Sequence, residues 1–201
     1  VRRVLLFGLA LALLAGLAGA VLWVASGAGG VHAPGWYARS VHPLRYEDAI
    51  RASARRNDLD PALVAAVIYA ESRFDAGARS DHGAVGLMQV LPETAAQIAG
   101  ETGGVTFVPA DLEDPRVNIR YGCYYLRSVL DSFGGDCVAA VAAYNAGAGA
   151  VSGWEAAARA AGHRLRLADI PYAETRAYVS RVLEARRIYR QAYGDRLRRL
   201  T

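Results

Sequence analysis

The sequence predicts a mainly α protein, one compact helical domain preceded by an N-terminal transmembrane anchor. Three observations carry that prediction. Apolar residues recur at helical spacing between residues 44 and 193, helix-start pairs such as Asp60-Pro61 and Asp114-Pro115 punctuate them, and no segment alternates as a strand would. The 201 residues are 53% hydrophobic and 21% charged, which excludes a disordered chain and suffices for a core without disulfide or metal.

The first element is the anchor, residues 1–25. Arg2 and Arg3 precede an uncharged apolar run from Val4 to Ala25, about 33 Å long as a helix and enough to span a bilayer. A cleaved signal could end at Ala18-Gly19-Ala20, but Val21-Leu22-Trp23-Val24 continues the run, so the reading is an uncleaved single-pass anchor in the cell membrane. The two arginines stay inside and the remainder lies outside the cytoplasm. Residues 26–43, rich in Gly, Ala and Pro, read as a tether.

The folded domain is expected over 44–193, with 194–201 as a basic C-terminal tail. Tyr46, Ala49, Ile50 and Ser53 share one helical face, ending at Arg55-Arg56-Asn57-Asp58. Asp60-Pro61 opens a helix to Arg73, an N-cap followed by proline at the first position. Phe74 to Gly86 reads as loop, Pro92 to Ala99 as a short helix, and Asp114-Pro115 opens a helix to Ser132. Gly134-Gly135 turns into an alanine-rich helix, Asp136 to Asn145, ended by Gly147 and Gly149. Trp154 to Ala161 and Tyr172 to Tyr193 are the last two helices, the latter with Tyr178, Val182, Ala185, Tyr189 and Tyr193 along one side.

Charge and cysteine usage narrow the function classes. A net charge of +4 without a phosphate-reading patch argues against nucleic acid, and the arginines from Arg186 to Arg199 read as a solvated helix face. Cys123 and Cys137 sit on consecutive helices with an offset on the order of 10 Å, too far for a bridge, so both are expected buried and unpaired. His32, His42, His82 and His163 show no metal spacing among themselves or with the cysteines, so no metal or cofactor is inferred.

One residue breaks the apolar pattern in a chemically informative way. Val64, Val67 and Ile68 form the stripe of the helix from Pro61, and the next member of that series is Glu71. An unpaired buried carboxylate is costly. Glu71 therefore pairs with an arginine, reaches solvent at the core's edge, or is held protonated as a general acid, burial being what lets a glutamate donate near neutral pH.

Four ordered blocks surround that residue: Glu71-Ser72, Gly86-Leu87-Met88-Gln89-Val90-Leu91-Pro92, Ala143-Tyr144-Asn145-Ala146-Gly147, and Ile170-Pro171-Tyr172-Ala173-Glu174-Thr175-Arg176-Ala177-Tyr178-Val179. Together, from about Leu44 to Tyr193, they resemble the soluble-lytic-transglycosylase family of the lysozyme-like superfamily, enzymes that cut peptidoglycan. The resemblance implies a compact lysozyme-like helical domain with a glycan-binding cleft. It implies Glu71 as the catalytic glutamate, Ser80 near the reacting sugar, Gln89 lining the cleft, Tyr144 and Asn145 at the scissile subsites, and Glu174 serving polar groups of the substrate. Leu91 departs from relatives that carry a methionine packed on a sugar ring.

The implied activity is cleavage of the β-1,4 bond between N-acetylmuramic acid and N-acetylglucosamine, leaving a 1,6-anhydro end. The implied partners are peptidoglycan glycan strands, the membrane through the N-terminal helix, and an unidentified component of the wall machinery. Two alternatives stand beside it. One is a hydrolase of goose-lysozyme type with water activated by Asp75 or Asp81; the other is a non-catalytic wall-binding protein, against which Glu71 in its matching block argues. Asp75, Asp81 and His82 otherwise read as solvated loop residues, and Leu87 as core.

Overall fold

The computed structural model describes residues 35–103 and 108–198, so the anchor at 1–25, the first part of the tether and His32 lie outside the described residues. The chain divides into two compact units, Val1–Val41 and His42–Thr201. The described part of the first is helix α1, Gly35–Val41, where an irregular tether was expected. The Gly- and Pro-rich composition stops at Gly35, and the six residues that follow contain no helix breaker. Among the described residues no helix is long and apolar enough to cross a membrane.

The second unit is mainly helical, as expected. Its helices are α2 (Glu47–Arg56), α3 (Pro61–Ser72), α4 (Pro92–Glu101), α5 (Pro115–Ser132), α6 (Cys137–Ala146), α7 (Ala148–Ala160) and α8 (Ala173–Arg198), with short 3-10 turns at Pro109–Glu113 and Leu167–Asp169. Three of them start on an aspartate whose Oδ1 accepts from the first free N–H groups: Asp60 from Ala62, Asp114 from Arg116 and Val117, and Asp136 from Val138 and Ala139. Such caps contribute about 1 kcal/mol each.

Helix α3 is the centre of the core. Every residue from Ala62 to Ile68 is buried, as a helix apolar on all sides must be. Helix α8 lies along it, and α6, buried from Ala139 to Ala143, packs against α5, α7 and α8. The small alanines of α6 let its neighbours approach closely. Between α3 and α4 the expected loop carries two isolated antiparallel bridges, Arg79 with Val85 and Val85 with Val90, which fold it back on itself.

Several boundaries differ from the sequence reading. Helix α7 begins at Ala148, so Gly149 lies inside it and the expected start at Trp154 is late. Gly147 alone, at φ 83°, turns the chain. Helix α8 runs on to Arg198 with Leu197 buried, so Gly194 to Arg198 belongs to the helix and not to a tail. Nor are its arginines a bare solvated face: Arg186 and Arg190 both hold Asp60 Oδ2, Arg187 holds Glu184, Arg196 holds Glu47 and Arg198 holds Asp195. Burial pulls the Asp60 carboxyl upward, but Arg186, the Ala62 N–H and Arg190 outweigh it and leave the group below the ordinary aspartate value. Cys123 and Cys137 are both free, the first buried and the second only partly so, with its Sγ 3.5 Å from Arg186 Nη1.

Candidate active site

Glu71 stands in the last turn of α3, where the central helix leaves the core. The helix stops there abruptly. Arg73 (φ 52°) and Phe74 (φ 66°) are both left-handed, a conformation that costs a non-glycine residue about 1 kcal/mol or more and persists only where the surroundings enforce it. Phe74 supplies that enforcement by being buried at 1% exposure. Ser72 ties the same helix end outward, its Oγ donating to Leu87 O at 2.8 Å.

The segment that Ser72 grips is built around a buried amide. Asn118 of α5 donates through Nδ2 to Val85 O (2.8 Å) and Leu112 O (3.0 Å), and its Oδ1 accepts from Met88 N (2.8 Å). Gly86 is required beside it, since its φ is 78° and a Cβ there would lie 2.4 Å from Asn118 Nδ2. Gly122 of α5 is equally fixed, because a Cβ would meet Met88 Sδ at 2.5 Å. Val85 and Val90 exchange backbone hydrogen bonds of 3.0 and 3.1 Å that close the loop.

Two side chains then converge on this frame from α6 and α8. Tyr144 donates its hydroxyl to Met88 O at 2.9 Å, its ring 5.2 Å from that of Tyr125. Tyr178, buried on α8, donates to Glu71 Oε1 at 2.6 Å. Among the described residues Glu71 Oε2 has no hydrogen-bond partner, so a proton on this carboxyl belongs there. Burial pushes the Glu71 carboxyl from the ordinary 4.5 up to about 7, against the downward pull of the Tyr178 hydroxyl and of the Arg181 charge. Desolvation and the neighbouring Glu71 charge push the Tyr144 and Tyr178 hydroxyls well above the ordinary tyrosine value, so both remain neutral donors. Glu71 is half-buried and makes no salt bridge among the described residues, surroundings that favour its protonated form.

The other expected site residues are placed as follows. Ser80 pairs with Ala84 in both directions, Ser80 N to Ala84 O and Ala84 N to Ser80 Oγ, each at 3.0 Å, and so closes its own turn. Gln89 is left-handed at φ 47°, and its Nε2 donates to Ala78 O and Gly86 O, while its Oε1 has no partner among the described residues. Asn145 is exposed at the end of α6, its Oδ1 accepting from Thr175 Oγ1 at 2.8 Å. Glu174 is exposed in the first turn of α8. Asp75, Asp81 and His82 are exposed on the loop after Glu71, with Asp75 Oδ1 accepting from Gly77 N. Leu87 and Met88 are both fully buried. Among the described residues no three His, Cys, Asp or Glu side chains are grouped as metal ligands.

Sequence reasoning left out Tyr178 and Asn118. Tyr178 was visible in the last block, but its position on a buried stripe read as packing. Asn118 carried one signal, a lone amide among Ile119, Gly122, Cys123 and Leu126 on the buried face of α5.

The family model described as the transglycosylase SLT domain matches residues 48–166, a span that includes Glu71, Gln89, Tyr144 and Asn145 and stops short of α8. The soluble lytic murein transglycosylase of Salmonella typhimurium is 35% identical over 158 residues, covering 77% of this chain and 24% of that protein. Membrane-bound lytic murein transglycosylase C of Histophilus somni is 35% identical over 121 residues, covering 56% of this chain and 33% of that protein. The crystal structure of the 70 kDa soluble lytic transglycosylase of Escherichia coli matches with a TM-score of 0.72 at 33% identity, over 80% of this chain and 26% of that one. The chain spans about a quarter of the length of the soluble relatives it matches.

Proposed function

This chain belongs to the transglycosylase SLT family, and from that premise we propose that it is a peptidoglycan lytic transglycosylase, cleaving the β-1,4 bond between N-acetylmuramic acid and N-acetylglucosamine. The observation that carries the proposal is the half-buried Glu71 carboxyl, held by Tyr178 through one oxygen and, among the described residues, without a partner at the other. Glycosidases ordinarily need two carboxyl groups, one as acid and one as nucleophile or base. Here a single group serves twice. Glu71 Oε2 gives its proton to the glycosidic oxygen as the bond to the anomeric carbon breaks, and the N-acetyl group of the muramic acid stabilises the positive charge left behind. The resulting carboxylate takes the proton of the sugar's own 6-hydroxyl while that oxygen bonds to the anomeric carbon. No water is consumed, the carboxyl returns to its starting state, and the product carries a 1,6-anhydro ring. A group near 7 is suited to both transfers, since it is neither too weak an acid for the first nor too weak a base for the second.

Ser80, Gln89, Tyr144, Asn145 and Glu174 are assigned to the glycan strand. Gln89 acts through its spare Oε1, and Asn145 is fixed by Thr175. The membrane assignment, a single span over residues 1–25 with the catalytic unit outside the cytoplasm, rests on the apolar run from Val4 to Ala25 and on likeness to a relative named membrane-bound. Digestion of purified peptidoglycan in ¹⁸O-labelled water tests the reaction. Products with anhydro ends and no label are expected; reducing ends carrying one ¹⁸O would assign the chain to hydrolysis instead.

A further inference from the structure

Resting on that reading of the site, we propose that Arg181 is a specificity-determining residue that binds a carboxylate carried by the muramyl part of the substrate beside the scissile bond. The other described arginines of α8 all have acceptors within the protein. Arg186 and Arg190 are taken up by Asp60, Arg187 by Glu184, Arg196 by Glu47 and Arg198 by Asp195, while Arg176 donates to the carbonyls of Ile170 and Pro171. Among the described residues Arg181 has neither an ion pair nor a hydrogen bond, and it is exposed. Its guanidinium carbon lies 5.9 Å from the centre of the Tyr178 ring.

That contact fixes where the charge sits. Glu174, Tyr178 and Arg181 are spaced i, i+4 and i+7 and so share one face of α8. The middle member donates to Glu71 Oε1. The exposed acid at one end and the exposed base at the other are about 10 Å apart along the helix, with the reacting carboxyl beside the residue between them. The downward pull of Arg181 on the Glu71 carboxyl agrees with that proximity.

The chemistry of the ligand follows from the donor. An exposed guanidinium with no acceptor among the described residues recognises a planar carboxylate through paired N–H groups. In a wall glycan the N-acetylglucosamine units are neutral, and the carboxylates are borne by the muramyl units, either on the lactyl group itself when the stem peptide is absent or on the peptide when it is present. The bond cleaved leaves the muramyl unit at the reacting carbon. Its lactyl side is therefore the anionic part of the substrate nearest Glu71.

The test compares full-length protein with Glu71→Gln, Glu71→Gln/Arg181→Gln and Glu71→Gln/Arg181→Lys, the first change keeping each glycan intact during calorimetric titration. Three ligands are used: chitohexaose, which has no carboxylate; peptide-free wall strands, which have the lactyl carboxylate; and peptide-bearing strands. Arg181→Gln is expected to weaken binding of carboxylate-bearing strands about fivefold to tenfold, to leave chitohexaose unchanged, and to be only partly rescued by Arg181→Lys, which restores the charge but not the paired N–H groups. Loss on the peptide-free strand identifies the lactyl carboxylate, and loss confined to the peptide-bearing strand identifies the peptide. Equal loss on all three ligands, or loss on none, overturns the inference. If the Glu71→Gln parent binds no wall strand at all, the functional reading beneath it fails as well.

Discussion

Replacing Tyr178 with phenylalanine isolates one hydrogen bond. The ring and its 5.9 Å contact with Arg181 are kept, and only the hydroxyl that donates to Glu71 Oε1 at 2.6 Å is lost. That bond favours the ionised carboxylate, so its removal raises the Glu71 carboxyl above its present value of about 7. A hydrogen bond to a charged group is worth about 1.5–3 kcal/mol, and at 1.36 kcal/mol per pH unit the displacement is roughly 1–2 pH units. The first step needs Glu71 protonated, so kcat/KM falls as pH rises through the carboxyl's value. In Tyr178→Phe the alkaline limb therefore moves upward by about 1–2 pH units. The plateau drops as well, because nothing now orients the carboxyl. The assay is the rate of anhydromuropeptide release between pH 5 and 9, with folding checked by circular dichroism at each pH. An alkaline limb that stays in place or moves downward refutes the assignment of Tyr178 as the group that holds Glu71.

Glu71→Gln is expected to change stability in a pH-dependent way. A carboxyl raised from 4.5 to about 7 favours the folded state fully below 4.5, and the benefit is lost as pH rises through 7. Above pH 8 the substitution therefore gains up to about 3 kcal/mol over wild type, and near pH 4 the gain vanishes, as urea unfolding at both pH values will read. Asn118→Ala leaves Leu112 O and Met88 N without their partner and Val85 O with Val90 N alone; a loss of about 3 kcal/mol or more is expected in the same assay, together with collapse of activity, since Met88 O also receives Tyr144. Asp60→Ala removes the α3 cap and the acceptor of two partly exposed arginines, and should lower stability by about 1–2 kcal/mol with kcat less affected than by Asn118→Ala.

What the sequence made legible was whatever local rules govern. Asp60-Pro61 and Asp114-Pro115 open α3 and α5 where the cap-and-proline rule puts them, and Glu71 stood out because a carboxylate interrupted an apolar series. Contacts between distant segments left no local trace. Asp60 reads as a cap, yet its second oxygen is taken by Arg186 and Arg190 more than a hundred residues on, which is why those arginines looked like a solvated face. Tyr178 fits a buried stripe so well that nothing marked its hydroxyl as the partner of Glu71. Gly149 shows the converse error: a breaker by type, it lies in α7 because Gly147 had already made the turn. Ser80 and Gln89, assigned by resemblance, spend most of their hydrogen bonds on their own loop, a role that residue type alone does not reveal.

The central claim is that one carboxyl performs both proton transfers, and Glu71→Gln tests it most directly because size and polarity are kept while the proton is removed. General acid–base catalysis contributes about 10²- to 10⁴-fold, and a group used twice stands at or beyond the upper end. The measurement is release of anhydromuropeptides from purified peptidoglycan by wild-type and Glu71→Gln protein at pH 6, with thermal unfolding followed in parallel. The account predicts a folded variant, at least as stable as wild type, that releases no detectable product. A folded variant that keeps more than about a tenth of wild-type activity, far above what losing such a catalyst allows, contradicts it.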